Sequence, residues 1–227
     1  MLTKSIGLAL AAWGIWTPML LASPGTNEVW LSLKFPTSAE RGAPTATSGA
    51  GTRGSSCLGP TQLQVIAPEV ESLTTTSNPH LFVYVPTTTL EEGQVLLVDA
   101  QGREVYESTV KLPSQASILN LALPTSVSLD FNQSYTWQFS ISCQGKTDYV
   151  EANLRRVEIA PTLKSQLAQA KTPLDQAQFY ANQQIWQDTL QALAPLQSTQ
   201  PQEWQELLTS VGLKSLAPYP IQLIQLK

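Results

Sequence analysis

The chain has 227 residues, 42% of them hydrophobic, which is enough for a working core in one large or two small domains. Only 13% are charged, about half the usual share, and the net charge is −4. A weakly charged, mildly acidic chain has no electrostatic footprint for nucleic acid or an anionic membrane surface, so both are excluded as partners.

The chain opens with a short segment carrying one positive charge, Met1–Lys4. An uncharged run from Ser5 to Leu21 follows, and then the small and turn-forming residues Ala22-Ser23-Pro24-Gly25. This order is that of a cleaved signal peptide over residues 1–22. The competing reading is a retained membrane anchor, which needs roughly 20 apolar residues. Gly7, Gly14, Thr17 and Pro18 interrupt a run already at that limit. Loss of Lys4 with the signal takes one positive charge from the net −4 and leaves −5.

Residues 23–56 read as a short strand and a tether. Val29–Phe35 is the candidate strand, stopped by Pro36. Thr37–Ser56 is rich in Gly, Ser and Thr, with no large apolar residue to offset its ordering entropy.

From 57 to 160 the chain is written in strands and turns. Leu63–Ala67 is a first strand. His80–Val85 is apolar at nearly every position, as in a central strand covered on both faces. Gln94–Asp99 and Arg103–Leu112 form a hairpin whose Gly102 takes the left-handed conformation. Ser117–Leu123 sets Leu119, Leu121 and Leu123 on one face and Asn120 on the other. In Tyr135–Cys143 the residues Tyr135, Trp137, Phe139, Ile141 and Cys143 alternate with Thr136, Gln138, Ser140 and Ser142, a clean period of two. Leu129 and Tyr135 are spaced as in the tyrosine corner of Greek-key sandwiches. Tyr149–Ile159 is the last strand. About seven short strands with regular turn signals predict an antiparallel β-sandwich, immunoglobulin-like or a related Greek key.

Cys57 and Cys143 are the two cysteines of the chain. In an exported chain such a pair reads as one structural disulfide, placed in the core by the inward face of its strand. The competing reading is two free thiols, one of them a nucleophile. That reading needs a base, and the chain has a single histidine, His80.

Residues 161–227 switch to a helical period, a small C-terminal helical region of about three helices. Leu163, Leu167 and Ala170 share a face of a first helix. Thr172-Pro173-Leu174-Asp175 is a helix start with a Thr cap, Pro at the first position and a carboxylate at the third. Apolar spacing then runs from Leu174 through Ala181 and Ile185 to Leu193, one helix ending before Pro195. A third helix starts near Pro201, carries Trp204, Leu207, Leu208 and Val211 on one face, and is capped by Gly212.

The segments Thr52–Cys57, Leu81–Pro86 and Tyr135–Cys143, with the helical Ile185–Leu190 and Leu207–Leu213, resemble an exported, mainly cyanobacterial family catalogued as domain of unknown function 928. The resemblance covers most of the chain after about residue 50. It implies a fold and an exported, periplasmic or extracellular compartment. It brings no activity and no functional residue.

The residues themselves supply no catalytic constellation. His80 lacks the Cys or carboxylate companions of a zinc site, and no G-x-S-x-G elbow is present to make Asp99 or Asp130 part of a triad. Glu91-Glu92 reads as a solvated pair, Asp130-Phe131-Asn132 is too sparse for calcium, and Trp186 and Trp204 read as core. Tyr180–Leu196 has a tetratricopeptide flavour but at most one repeat unit. No catalytic, metal or cofactor-binding residue is assigned, and no cofactor is implied. The expectation is an exported, non-enzymatic envelope protein that binds another envelope protein or an extracellular polymer, with no membrane span after cleavage. The alternatives are a cell-wall or polysaccharide hydrolase with an unrecognised carboxylate pair and the extracytoplasmic accessory part of a membrane sensor.

Overall fold

The computed structural model describes residues 33–36, 57–58, 61–68 and 71–227. The signal segment, residues 1–22, and the tether, residues 37–56, lie outside the described residues. Of the candidate strand at 29–35 only the end is described, and it is not a strand. Leu33 and Phe35 are instead buried against helices, with their N–H groups donated to Glu203 Oε2 (3.3 Å) and Ser210 Oγ (3.0 Å).

Among the described residues there are nine strands and four α-helices. The strands are β1 (Gln64–Val65), β2 (Ser72–Thr74), β3 (His80–Val85), β4 (Glu92–Asp99), β5 (Glu104–Lys111), β6 (Ser117–Ala122), β7 (Ser134–Cys143), β8 (Lys146–Arg156) and β9 (Ile221–Gln225). The helices are α1 (Pro161–Gln169), α2 (Pro173–Asn182), α3 (Trp186–Leu193) and α4 (Pro201–Ser210). One sheet has the order β1-β3-β6-β9 and the other β2-β8-β7-β4-β5. The chain crosses between the sheets from β3 to β4, from β5 to β6 and from β6 to β7, which is the wiring of an immunoglobulin-like sandwich. The sheets are mixed rather than purely antiparallel, because β2 lies parallel to β8 and β9 parallel to β6.

Strict alternation in β7 drives the packing. Tyr135, Trp137, Phe139 and Ile141 are buried against Leu81, Val83, Leu119 and Leu121 of the opposite sheet, and Gln138 and Ser140 turn outward. Gly93 of β4 lets the backbone close on this core, since a Cβ there would stand 2.8 Å from Phe139 Cζ. The tyrosine corner forms as its spacing implies: the Tyr135 hydroxyl accepts the Asp130 backbone N–H at 3.0 Å. At the β4–β5 turn Asp99 accepts the N–H groups of Gln101 (2.9 Å) and Arg103 (3.0 Å), and Gly102 has φ +75°.

β3 is apolar on both faces because both are covered. Leu81, Val83 and Val85 face the sandwich, while Phe82 and Tyr84 face a second core formed with the helices. That core holds Ala177, Ala181, Trp186, Leu190, Leu193, Trp204, Leu207 and Leu208. Trp186 reaches through it to donate its indole N–H to Ile66 O at 2.8 Å, and Phe35 meets its ring edge-on at 4.8 Å. Helices α2, α3 and α4 therefore pack on the outer face of the four-stranded sheet.

Three features depart from the sequence reading. The long second helix is two helices, α2 and α3. Its hydrophobic period continues across the break, but Gln184 adopts φ 59°, and Gln184 and Ile185 return their N–H groups to Ala181 O and Tyr180 O, both at 2.9 Å. This is a Schellman closure with glutamine where glycine is usual. Second, the end of the region read as helical is a strand, β9, added to the β6 edge through Ile118↔Ile221 and Leu121↔Ile224. Third, the Cys57–Cys143 bridge, with Cα atoms 5.7 Å apart, is half-buried at the rim and not in the core. Cys143 is the last pair of the β7–β8 hairpin, opposite Lys146, and the strand has already left the sheet interior there.

Candidate binding face

Because the helices seal the four-stranded sheet, the two sheets differ in what they offer to solvent. Among the described residues no helix lies over the centre of β5-β4-β7-β8. Its outward side chains form cross-strand rows set by the register. One row is Thr109–Gln94–Ser140–Tyr149 and the next is Glu107–Leu96–Gln138–Glu151. A third runs Val98–Thr136–Asn153, in which Thr136 Oγ1 donates to Asn153 Oδ1 at 2.8 Å. Ser142 and Thr147 continue the pattern, their hydroxyls 2.9 Å apart.

Every outward residue of β7 from Thr136 to Ser142 is uncharged. Hydroxyls and amides thus stand about 4.8 Å apart across the strands and about 7 Å apart along them, a flat grid of donors and acceptors. Tyr149 supplies an aromatic ring, and Leu96 and Val98 an apolar strip, within the same grid. At the β2 end the face closes with charge: Arg155 forms an ion pair with Glu71, its Nε 3.0 Å from Oε2, and the Ser134 hydroxyl donates to Glu71 Oε1.

The structure scatters the residues weighed as chemistry. His80 opens β3 on the other sheet, and its Nδ1 lies 2.7 Å from Asn120 Oδ1. An amide oxygen only accepts, so Nδ1 carries the proton. Burial holds the imidazole below its ordinary pKa, although the Asn120 bond works against this. Glu91 and Glu92 are exposed before Gly93. Asp99 is engaged by its own turn. There burial raises its pKa, but hydrogen bonds from Arg103 and Gln101 outweigh that effect and hold it low. Phe131 is exposed with the Arg156 guanidinium 3.9 Å over its ring, while Arg156 Nη1 donates to Leu129 O at 2.8 Å. Trp186 and Trp204 are buried in the helical core. No group of three or more His, Cys, Asp or Glu able to hold a metal occurs among the described residues.

The chemistry that sequence reasoning missed is structural. Asp188, buried in the first turn of α3, accepts the Thr75 N–H (2.9 Å), the Thr75 hydroxyl (2.8 Å) and the Thr76 hydroxyl (3.0 Å). Burial, and then the Asp188 charge, push the neighbouring Tyr180 phenol up, while a bond with Thr75 opposes the shift. A run of three threonines before a strand is the only trace of this cluster in the sequence. Tyr149 and the β4 residues were legible as strand residues, but their place beside Gln138 and Ser140 depends on the register.

The model of one family matches residues 48–221, more than half of the chain: Domain of Unknown Function (DUF928). The chain belongs to this family. No curated protein matches it. Among solved structures, the apo beta-glucuronidase 3 of Bacteroides uniformis is 16% identical over 41% of this chain and 12% of its own, with a TM-score of 0.28. The Parabacteroides merdae beta-glucuronidase is 19% identical over 43% of this chain and 14% of its own, with a TM-score of 0.27. The fn3 domain of human collagen alpha-1(XX) is 16% identical over 49% of this chain and 94% of its own, with a TM-score of 0.25. The chain thus matches only a small part of either glucuronidase. Among the described residues of this DUF928 chain, no helix is long and apolar enough to cross a membrane.

Proposed function

We propose that this DUF928 protein is an exported, non-enzymatic binding module whose open sheet face lies along an extracellular polymer of the polysaccharide class. The observation that carries the reading is the uncharged grid of Thr136, Gln138, Ser140 and Asn153 beside Tyr149, on a broad face that, among the described residues, the helices leave uncovered. Closely spaced hydroxyls and amides complement a hydroxyl-rich chain, and a tyrosine ring offers an apolar surface with a polar tip to a sugar ring. The disulfide supports an oxidising compartment. Hydrolysis is less well supported on this face. Glu107 and Glu151 end the same row three strand spacings apart, about 14 Å, whereas glycosidase carboxyl pairs stand about 5–9.5 Å apart.

The test is co-sedimentation of the protein with a panel of insoluble cell-wall and extracellular polysaccharides. Retention should be lost in Tyr149→Ala and in Gln138→Ala with the fold unchanged by circular dichroism. Retention of neither the parent on any polysaccharide, or equal retention of parent and variants, overturns the reading. Release of new reducing ends from the panel would restore the hydrolase.

A further inference from the structure

We infer that the open face of the five-stranded sheet selects uncharged polysaccharides and excludes acidic ones, those carrying uronate, carboxymethyl or sulfate groups. The inference rests on the binding role proposed for that face and names the class of polymer it takes.

An anionic chain needs countercharge where it lies. Among the described residues, the rows of Thr136, Gln138 and Ser140 contain no Lys or Arg. The cations around them are engaged elsewhere. Arg155 is committed to Glu71, its Nε 3.0 Å from Oε2. Arg103, at the β4–β5 turn, is held by Asp99 with its Nη2 2.7 Å from Oδ2. Lys111 lies at the far end of β5, where the register sets it opposite Glu92. Arg156 directs its fork at the carbonyls of Leu129 and Thr75 and covers the Phe131 ring.

The β5 side of these rows is negative instead. Val98 of the Thr136 row faces Glu104, and Leu96 of the Gln138 row faces Glu107. Both glutamates are exposed, and neither forms an ion pair among the described residues. Glu107 stands two strand spacings from Gln138, about 10 Å, which is about one Debye length at 0.1 M salt. A sugar hydroxyl gains an acceptor from such a carboxylate. A carboxylate or sulfate on the polymer meets like charge there, with no cation in the rows to offset it. The same side chains thus accept one class and repel the other.

Salt should act on this face in the opposite sense to its action on a cationic site. Retention of a neutral polymer should not change with salt, because no charge pair is formed. Retention of an acidic polymer should be weakest at low salt, where the glutamates are least screened.

The test uses bead-immobilised cellulose, mannan and chitin, each beside its carboxymethylated and its hydroxyethylated derivative. Retention is measured at about 0.05 M and about 1 M salt, the Debye length at the upper value being about 3 Å. Carboxymethylation of a polymer that the protein retains should weaken retention at least about tenfold at low salt, and hydroxyethylation, which adds bulk without charge, should not. Glu104→Gln/Glu107→Gln should recover part of the loss, and Glu107→Lys should recover more, with its extra gain disappearing at high salt. Circular dichroism confirms that these variants are folded. Equal retention of neutral and carboxymethylated polymer, abolished in both cases by Tyr149→Ala, overturns the selectivity and leaves the binding face standing. Equal loss on hydroxyethylation, or a loss that folded glutamate variants do not relieve, also overturns the selectivity. Retention of no polymer of the panel, neutral or acidic, overturns the binding face and the selectivity with it.

Discussion

The Asp188 carboxylate accepts both the backbone N–H and the hydroxyl of Thr75, at 2.9 and 2.8 Å, and so ties the first turn of α3 to the turn between β2 and β3. The Thr76 hydroxyl adds a third bond at 3.0 Å. One buried carboxylate thus joins the first turn of α3 to the sandwich, beside the Trp186–Ile66 bond made from the same turn.

Asp188→Ala leaves three donors without their acceptor inside the protein. Hydrogen bonds to a charged group contribute about 1.5–3 kcal/mol each and are not additive, so a loss of about 3 kcal/mol is expected. Urea denaturation should show it, with Asp188→Asn retaining part of the stability. A loss below about 0.5 kcal/mol in the alanine variant contradicts the role given to this cluster.

The tyrosine corner is tested by Tyr135→Phe. The ring stays buried and only the bond to the Asp130 N–H is lost. A typical net value of about 1 kcal/mol corresponds to a drop of about 2–4 °C in melting temperature for a chain of this size. An unchanged melting curve means that water replaces the phenol at no cost.

These two sites differ in how far the sequence reveals them. The corner was legible because a tyrosine opens an alternating strand and its partner lies five residues away. The period of two in β7 and the unbroken apolar run of β3 likewise told which faces are covered, since burial on a sheet depends only on parity. The Asp188 cluster was not legible, because its partners are 113 and 112 residues away and belong to separate layers. β9 was hidden for the same reason: its ladder pairs it with β6, about a hundred residues earlier. The break between α2 and α3 was masked by chemistry. Ala181 and Ile185 keep the helical spacing across it, and the left-handed residue is a glutamine, which carries no stop signal. The rim position of Cys143 shows the limit of parity, which sets a side chain's face but not where the strand leaves the sheet.

The two Schellman closures make opposite predictions. Gly212, at φ +78°, ends α4, and an added Cβ there meets nothing within 4 Å. Gly212→Ala should therefore cost about 1 kcal/mol through backbone strain alone. Gln184 sits at φ 59° with a Cβ already in place, and Gln184→Gly should stabilise by up to about 1 kcal/mol. Thermal melts of both variants check the pair, and a stabilised Gly212→Ala would contradict the strain account.

His80 gives the fold a pH dependence of definite sign. Its folded pKa is held below the unfolded value by burial. The unfolded chain therefore binds more protons in between. Stability is complete above about pH 6.5 and falls as the pH drops towards the folded pKa. Asp99 shifts in the same direction, but its window lies below about pH 4. The urea midpoint should thus be lower at about pH 5 than at about pH 8, and His80→Gln should flatten this difference. Equal slopes in parent and variant would remove His80 from the account.

The bridge between Cys57 and Cys143 gives the last prediction. It closes a loop of 86 residues, worth on the order of 4 kcal/mol in the chain-entropy model. A half-cystine inside the core would add a cavity cost when removed, but both cysteines are half-buried at the rim. Their removal therefore acts on the unfolded chain and leaves the packing of Trp137 and Phe139 alone. The double variant Cys57→Ser/Cys143→Ser should fold to the same near-ultraviolet spectrum, with about 2–4 kcal/mol less stability and a melting temperature that no longer responds to reductant. Hydrogen exchange should rise first at residues 61–66 and at the β7–β8 turn, the two ends that the bridge holds together. The single variant Cys143→Ala should release one thiol that reacts in the folded state, since Cys57 is not sealed from solvent. Two titratable thiols in the parent under oxidising conditions would refute the bridge. Loss of the near-ultraviolet spectrum in the double variant would instead show that the bridge supports the core directly, against its position at the rim.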